Sequence, residues 1–315
     1  MNSIRQGTIH LFRFAGVDLF LHWSWFLLAT YEISVRKGYS SLIWNVLEYL
    51  ALFAIVLMHE YGHALACRQV GGMANQIVLW PLGGVAYVDP PPRPGPTLWS
   101  IAAGPLVNVA LFPILTALGF LSKSLGWAQM MPNAHALLRA VWAINIGLLV
   151  FNMLPIYPLD GGQIFRSLLW FVLGRARSLM VATMLGFVGV VGFLGLALWT
   201  RSVWLGVIAI FLLMNCWSGL RHAQALTRLA KIPRREGFAC PWCNAAPPLG
   251  NFWKCAQCGT AFDTFHTRAA CPQCGAQFNV TSCLDCGRSH PMSAWAVPSA
   301  AGAASPVVAG DIVPG

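Results

Sequence analysis

Residues 59–63 read His-Glu-Tyr-Gly-His inside an apolar run long enough to cross a membrane. In an α-helix the two histidines of this H-E-x-x-H pattern lie one turn apart on one face. Both imidazoles can then bind one zinc ion, with the glutamate beside them as a general base. Ionisable side chains at membrane depth are costly and mark functional sites. The pattern therefore predicts a catalytic zinc ion bound by His59 and His63, with Glu60 as the base.

The composition indicates an integral, multi-pass membrane protein. Of the 315 residues, 57% are hydrophobic and only 10% are charged, whereas soluble domains carry about 25% charged residues. The first fifteen residues lack a short apolar core followed by a small-residue cleavage site, so we expect no cleavable signal peptide.

Six apolar runs approach the ~20 residues needed to cross the hydrocarbon layer. We predict an all-α polytopic membrane protein with about six transmembrane helices, over residues 17–35, 44–66, 98–121, 137–154, 179–200 and 203–220. The shorter apolar run at 160–174 is interpreted as a helix at the membrane interface. Between the second and third spans, β-branched and aromatic residues surround Pro81 and Gly83, which predicts a short β-hairpin-like loop over residues 75–88.

The distribution of basic residues predicts the orientation. With the N-terminus in the cytoplasm, twelve Lys and Arg residues up to Arg235 fall on the cytoplasmic side and five on the other. The positive-inside rule therefore favours cytoplasmic N- and C-termini. This rule also accounts for the net charge of +10 without a nucleic-acid partner, which we regard as unlikely.

A catalytic zinc ion usually has three protein ligands and one position for water. The strongest candidate for the third ligand is Asp160, in the segment Asn152-Met-Leu-Pro-Ile-Tyr-Pro-Leu-Asp160. Pro155 and Pro158 break the helix at the end of the fourth span, and a broken helix can direct a carboxylate at a buried metal. The alternative is that Asp160 is only a turn residue.

Three motifs, in order along the chain, resemble the site-2 protease family of zinc intramembrane metalloproteases. They are H-E-x-x-H in the second span, Gly104-Pro105-x-x-Asn108 in the third, and Asn-x-x-Pro-x-x-Pro-Leu-Asp-Gly at the end of the fourth. The resemblance covers about residues 10–220. It implies that His59, His63 and Asp160 bind zinc, that Glu60 is the general base, and that Asn152 lies near the metal in a catalytic role.

The glycine, proline and asparagine of the second motif have a structural interpretation. Glycine permits close approach of helices, proline bends them, and Asn108 can form a hydrogen bond between helices. A direct catalytic role for Asn108 is the alternative.

Eight of the ten cysteines form four C-x-x-C pairs near the C-terminus, which predict two structural zinc ions in tetrahedral Cys₄ sites. The pairs are Cys240/Cys243, Cys255/Cys258, Cys271/Cys274 and Cys283/Cys286. We expect consecutive pairing, with the first two pairs on one zinc and the last two on the other; an interleaved arrangement is the alternative. Disulfides are disfavoured because cytosolic thiols stay reduced.

These patterns predict a domain order. Residues 1–225 form the transmembrane metalloprotease domain, 226–239 a linker, 240–290 a small tandem zinc-ribbon domain, and 291–315 a disordered tail. The ribbon carries only Lys254, Arg268 and Arg288 as basic residues, so a protein partner is favoured over DNA.

The leading functional hypothesis is an intramembrane zinc endopeptidase that cuts transmembrane segments of membrane-anchored protein substrates. An extended substrate could add as a strand to the predicted hairpin. A proteolytically silent scaffold, or a zinc-responsive adaptor acting through the ribbons, is the alternative, although such a protein would be expected to lose Glu60. A metal transporter would need polar ligands along a path, whereas these converge at one depth. The sequence leaves open the substrate, the cleavage position, any need for a prior cut, and the oligomeric state.

Overall fold

A computed structural model describes residues 7–35, 39–80 and 83–297. The chain divides into two compact units, with the division between Thr227 and Arg228. The first unit is helical with one small sheet, and the second is built from short strands and turns.

Seven helices are described in the first unit. They are α1 (Ser24–Val35), α2 (Leu42–Gln69), α3 (Pro94–Ser124), α4 (Trp127–Met130), α5 (Pro132–Asn152), α6 (Asp160–Thr200) and α7 (Val203–Ala230). Within the described residues, five are long and apolar enough to cross a membrane, namely α2, α3, α5, α6 and α7. They match the second to sixth expected spans, so the expected count of about six is not confirmed.

The first expected span, over residues 17–35, is not a continuous helix. Its first part is strand β2 (Val17–His22), and only the remainder is the 12-residue helix α1. Hydropathy does not separate a strand from a helix within one apolar run.

The strands of the first unit form one four-stranded sheet in the order β1-β2-β3-β4. Its other strands are β1 (Thr8–Phe14), β3 (Met73–Trp80) and β4 (Gly83–Asp89). The predicted hairpin is confirmed as the antiparallel pair β3–β4. The sequence prediction did not include the parallel pairing of β2 with β3, which makes β3 a central strand and leaves β4 at an edge.

This sheet packs against α2, the helix that carries the H-E-x-x-H residues. Leu19, Ile77 and Leu79 of the sheet share a buried cluster with Ala64 and Cys67 of α2. A buried helix flank needs an apolar partner surface, and the sheet supplies it on this side. The core of the first unit therefore lies directly beside the candidate site.

Helix α6 contains a break. Gly174 has φ 76° and ψ 170°, values outside the helical region, so residues 160–173 and 175–200 are two helical segments. A positive φ at this position favours glycine. The break separates the expected interfacial helix over 160–174 from the expected fifth span.

The second unit has two hairpins and a short terminal helix. Its elements are β5 (Trp253–Lys254), β6 (Ala261–Phe262), β7 (Val280–Ser282), β8 (Ser289–Pro291) and a 3₁₀-helix (Met292–Trp295). β5 pairs with β6 and β7 with β8, both antiparallel. Aromatic side chains and cysteines form one core, in which Trp295 is only 1% exposed.

The boundaries of this unit differ from the expected ones. Residues 226–230 continue α7 instead of beginning a linker. Arg234 and Phe238, expected in that linker, bridge to Pro248 and Ala296. Residues 291–295, expected in the tail, complete the core, and the remainder of the expected tail from 298 onward lies outside the described residues.

A glycine controls how closely α2 and α3 approach. A Cβ added at Gly62 would lie 2.7 Å from the Ala103 carbonyl oxygen, closer than such atoms pack. We predict that Gly62→Ala lowers the free energy of unfolding by about 1–3 kcal/mol, the usual cost of overpacking. The measurement is the apparent melting temperature of the purified protein in detergent.

The matched control is Gly119→Ala on α3, where an added Cβ meets nothing within 4 Å. We expect this variant to keep or slightly raise the melting temperature because alanine favours helix. Equal melting temperatures for the two variants would contradict close packing at Gly62.

Candidate metal centres

Three side chains expected to bind zinc converge in the first unit. His59 Nε2 lies 3.1 Å from His63 Nε2 and 3.0 Å from Asp160 Oδ2. The third distance, from His63 Nε2 to Asp160 Oδ2, is 3.5 Å. Both histidines are buried and the carboxylate is nearly so. The histidines come from one helix and the aspartate from the start of another, as the sequence motifs predicted.

The spacing of these donor atoms fits a zinc ion. Ligand atoms about 2.0–2.2 Å from a tetrahedral zinc lie roughly 3.3–3.6 Å from one another. The three observed separations cluster near this value. Two imidazole nitrogens and one carboxylate oxygen are also a donor set that zinc accepts, with one position left for water.

Hydrogen bonds from α3 orient the two imidazoles. His59 Nδ1 lies 2.7 Å from Asn108 Oδ1, and His63 Nδ1 lies 2.9 Å from the Ser100 carbonyl oxygen. Both partners are acceptors, so each Nδ1 carries the proton and donates it. Each Nε2 is then left with its lone pair toward the shared point, the tautomer that a metal ligand needs.

A second asparagine fixes the first. Asn108 donates from Nδ2 to Asn145 Oδ1 at 2.8 Å, and Asn145 donates from Nδ2 to the Asn108 carbonyl oxygen at 3.0 Å. Both side chains are fully buried. Because Nδ2 of Asn108 donates to Asn145 on α5, Oδ1 is the side-chain atom of Asn108 that faces His59. Asn108 is therefore a positioning residue at this site, in agreement with its structural interpretation.

Glycines make room for this arrangement. A Cβ at Gly104, in the Gly-Pro-x-x-Asn motif, would fall on the His63 imidazole. At the start of α6, a Cβ at Gly162 would lie 2.5 Å from the backbone of Ile156 and Tyr157. The first glycine lets α3 pass close to the ligand. The second lets α6 begin tightly against its preceding loop, which brings Asp160 close to His59 and His63.

Glu60 is buried, with 6% of its surface exposed, and lies within electrostatic reach of His63, one of the candidate ligands. Asn152 is half-buried at the last residue of α5. Among the described hydrogen bonds, none joins its side chain to His59, His63 or Asp160. The expected catalytic role of Asn152 therefore remains a prediction.

The sequence reasoning missed two features of this unit. Asn145 was not singled out, although an amide within an apolar span is itself a signal of a buried hydrogen-bond network. Glu48 was also overlooked; it is buried in α2 and accepts a hydrogen bond from Tyr39 at 2.5 Å. Twelve residues of helix separate Glu48 from Glu60, about 18 Å, so Glu48 lies outside the site.

The eight paired cysteines form two clusters in the second unit. Cys240, Cys243, Cys283 and Cys286 form one cluster, and Cys255, Cys258, Cys271 and Cys274 form the other. The first pair therefore meets the fourth, and the second meets the third. The expected consecutive pairing is wrong, and so is the interleaved alternative.

In this nested pairing the second and third pairs lie, in sequence, between the first and the fourth. It is explained by contacts between the two ends of the unit. Phe238 bridges to Ala296, and the Ala239 amide donates to the Trp295 carbonyl oxygen at 2.8 Å. These contacts bring the start of the cysteine region to its end. Sequence spacing carries no information about this closure, because all four C-x-x-C pairs have the same local pattern.

The sulfur geometry fits zinc and not disulfides. Sulfur–sulfur distances between facing pairs are 3.8, 3.6, 3.6 and 3.5 Å, and all eight cysteines are free. A disulfide requires about 2.05 Å, whereas sulfurs about 2.3 Å from a tetrahedral zinc lie roughly 3.8 Å apart.

Each C-x-x-C pair is wrapped by the same backbone turn. The amide four residues after the first cysteine donates to that cysteine's carbonyl oxygen, from Asn244, Gly259, Gly275 and Gly287. All four donors have positive φ. Asn244 takes the place that glycine holds in the other three turns, since asparagine tolerates this conformation better than most residues.

The thiols of the second unit differ in acidity. Hydrogen bonds with the side chain and backbone of Thr260 lower the pKa of the exposed Cys258 thiol to about 6. The hydrogen bond with Cys243, together with burial, raises the pKa of Cys283. Crowded thiols that retain protons release them when a metal binds, so metal affinity at such clusters rises with pH.

We predict that Asn108→Ala weakens zinc binding at His59, His63 and Asp160 by about 10–100-fold, the usual effect of removing a residue that orients a ligand. The measurement is zinc retained per protein during titration with a chelator. A His59→Ala variant identifies the zinc that belongs to this site.

The matched control is Asn215→Ala. Among the described contacts, the Asn215 side-chain amide donates a hydrogen bond only to the carbonyl oxygen of Phe211, one helical turn earlier. This control should titrate like the wild type. If Asn108→Ala did so too, the orienting role of Asn108 would be excluded.

The nested pairing predicts zinc stoichiometries for double variants. Replacing Cys240 and Cys286 by serine should remove one zinc ion per protein, because both belong to one cluster. Replacing Cys240 and Cys255 should remove two. Consecutive pairing predicts the reverse, with two zinc ions lost in the Cys240/Cys286 variant and one in the Cys240/Cys255 variant. The zinc content of the two purified proteins therefore decides between the two pairings.

Several known proteins resemble this chain. Residues 48–133 and 124–196 match the profile of Peptidase family M50. A zinc metalloprotease of Methanocaldococcus jannaschii is 31% identical over 179 residues, which cover 57% of this chain and 50% of the relative. The putative zinc metalloprotease Rip3 of Mycobacterium tuberculosis is 30% identical over 257 residues, 70% of this chain and 64% of the relative.

A solved structure also resembles this chain. The Site-2 Protease from Methanocaldococcus jannaschii has a TM-score of 0.50 and 26% sequence identity, and the match covers 68% of this chain and 95% of that chain. The chain spans one half to just under two thirds of the length of the curated relatives described above. The chain is therefore similar to peptidase family M50, to curated zinc metalloproteases and to a solved site-2 protease.

Proposed function

We propose that the protein is an intramembrane zinc endopeptidase that hydrolyses peptide bonds in or near transmembrane segments of membrane-anchored proteins. The observation that carries this proposal is the convergence of His59, His63 and Asp160 beside Glu60, on helices apolar enough to cross a membrane. A donor set of this kind in such a segment needs a functional reason.

The side chains have distinct tasks in the proposed reaction. His59, His63 and Asp160 would hold a zinc ion, which would lower the pKa of a bound water to about 7. Glu60 accepts the proton of the attacking water and passes it to the leaving amine, so one carboxylate serves as base and then as acid. Asn152, at the end of α5, is proposed to hold the substrate carbonyl through its amide.

The burial of the site makes Glu60 effective. Electrostatic interactions are stronger where water is excluded, and the carboxylate is buried close to the His63 imidazole. The positions of the imidazoles are set in advance by Asn108 and the Ser100 carbonyl. Little reorganisation is then needed when the substrate carbonyl is attacked.

The edge strand β4 offers a binding mode for the substrate. A helical substrate hides its carbonyl groups in its own hydrogen bonds and must unwind before cleavage. β4 is an end strand of the sheet, and an edge strand presents backbone groups to which an extended peptide can add. Its neighbour β3 packs on the helix of the H-E-x-x-H motif, which keeps the added strand near the site.

We further propose that the second unit holds two structural zinc ions and contacts proteins and not nucleic acid. Several of its basic side chains have internal partners. Arg234 pairs with Asp285, Arg235 pairs with Asp263, and Arg288 lies 3.5 Å above the Trp242 ring. Such residues have little capacity left for phosphate contacts. Cytoplasmic N- and C-termini remain part of the proposal.

The test is cleavage of a panel of single-span model substrates by purified protein in detergent, with product masses read. We predict that Glu60→Gln lowers the cleavage rate by about 10²–10⁴-fold, the contribution of a general base, while zinc content is unchanged. The product masses locate the cut relative to the membrane.

Glu48→Gln is the matched control, since it changes another buried glutamate of α2 outside the site. We expect it to cleave at a rate close to that of the wild type. Product formation by Glu60→Gln at the wild-type rate would refute the assigned base. No product from any protein, with zinc still bound, would favour the silent scaffold or zinc-responsive adaptor.

A further inference from the structure

A groove of about 780 Å³ lies between α3 and α5. Leu115, Gly119 and Phe120 line it from α3, and Leu138 and Ala143 line it from α5. Within each helix the lining positions recur three or four residues apart, so each set lies on one face of its helix. The α3–α5 groove is therefore formed by two facing helix surfaces.

Hydrogen bonds join the two helices at two levels. Ser122 Oγ lies 3.0 Å from His135 Nδ1, and Trp142 Nε1 donates to Thr116 Oγ1 at 3.0 Å. Between these levels on α3, a Cβ added at Gly119 would meet nothing within 4 Å. The groove thus has fixed walls and open space, which lowers the cost of ordering it around a ligand.

Two cations line the same groove. Lys123 lies in the last turn of α3, and Arg139 lies on α5. The contact between Ser122 and His135 sets the end of α3 level with His135, one helical turn from Arg139 along α5. Both cations are exposed, and neither forms an ion pair with an acidic side chain that the structure describes.

Arg139 lies at membrane depth. Helix α5 has 21 residues and is about 32 Å long, close to the ~30 Å of the hydrocarbon layer. Arg139 follows the start of this helix by about 10 Å along the axis. A charged side chain at such a depth is costly unless it pairs or reaches the interface. An anion at the membrane surface would pair with it, and Lys123 could contact the same anion.

The rest of the groove indicates which anion fits. Leu115 precedes Lys123 by two turns of α3, which places it about 12 Å further along the helix. Phe120 and Trp142 also line the groove. The groove therefore has cations toward one end and apolar side chains along its length, as an anionic lipid requires. Basic pockets between membrane helices are a recognised setting for anionic lipid headgroups.

We propose that the α3–α5 groove binds an anionic phospholipid, with its phosphate at Lys123 and Arg139 and an acyl chain along Leu115 and Gly119. A lipid is favoured over a free phosphate ion because a phosphate ion would leave the apolar part of the groove unfilled. Along α3, Lys123 is about 22 Å from Asn108, the positioning residue of the candidate zinc site. The proposal does not depend on proteolysis.

The test is native mass spectrometry of the full-length protein, released from neutral detergent over a range of lipid concentrations. We expect the wild type to bind phosphatidylglycerol in preference to phosphatidylcholine. The variant Lys123→Gln/Arg139→Gln should bind phosphatidylglycerol about 10–30-fold more weakly, since each cation near a membrane surface contributes about fivefold to the attraction of an anionic lipid. Wild-type affinity in this variant would overturn the proposal.

The matched control for charge is Arg201→Gln. It removes one cation from an exposed arginine between α6 and α7, outside the groove. This control should keep the wild-type affinity for phosphatidylglycerol. A loss equal to that of the double variant would mean that general positive charge attracts the lipid, and would refute a specific site.

Gly119→Leu tests the groove while leaving both cations in place. Its side chain would occupy the open space beside Gly119, so we expect weaker binding of phosphatidylglycerol. Gly119→Ala leaves most of this space open and should weaken binding less. Unchanged binding in Gly119→Leu would contradict an acyl chain at this position.

Two other occupants are distinguished by the same measurement. Inorganic phosphate at millimolar concentration should not displace phosphatidylglycerol; displacement would assign the cations to a free anion and refute the lipid. A dimer that excludes lipid would assign the groove to a second copy of the chain, with the same consequence. Circular dichroism checks that each variant is helical. If the double variant does not fold, the two single variants replace it, and each should bind about fivefold more weakly.

Discussion

The structure of the first unit depends on how two buried imidazoles are held. Both histidines donate from Nδ1 to α3, one to an asparagine side chain and one to a backbone carbonyl. This requires α2 and α3 to pack at backbone distance, which Gly62 and Gly104 permit. Asn145 extends the constraint to α5, and Asp160 connects α6 to the same point. The contacts that hold His59, His63 and Asp160 together thus connect four helices, α2, α3, α5 and α6.

The sheet and the short helix α1 support this centre from the opposite flank. Asn45 and Tyr49 of α2 donate to carbonyl oxygens of Ile33 and Trp25, so α1 runs antiparallel along the first half of α2. The sheet covers the second half. Backbone groups at membrane depth need partners within the protein. The pairing of β2 with β3 joins backbone groups of these two strands, and β4 lies at an edge of the sheet.

Residues that belong to a local sequence motif could be predicted from the sequence. Residues whose role depends on packing between distant segments could not. The i, i+4 spacing of the histidines and the broken helix before Asp160 were sufficient to predict the convergence of the three. Asn145 could not be placed, because its partner lies 37 positions away on another helix. The predicted helical span over residues 17–35 was wrong because hydropathy does not distinguish a strand from a helix. The predicted cysteine pairing was wrong because the four C-x-x-C turns have similar local sequences, which do not indicate which pairs meet.

The nested arrangement of the cysteine clusters has a consequence for the order in which the second unit can fold. The inner cluster closes a loop from Cys255 to Cys274, and the outer one closes a loop from Cys240 to Cys286 that contains it. The entropy lost on closing a flexible loop grows with its length. Once the inner loop is closed, the outer ends have a shorter free path to bridge. A metal ion bound at the inner cluster would therefore shorten the loop that the outer cluster has to close.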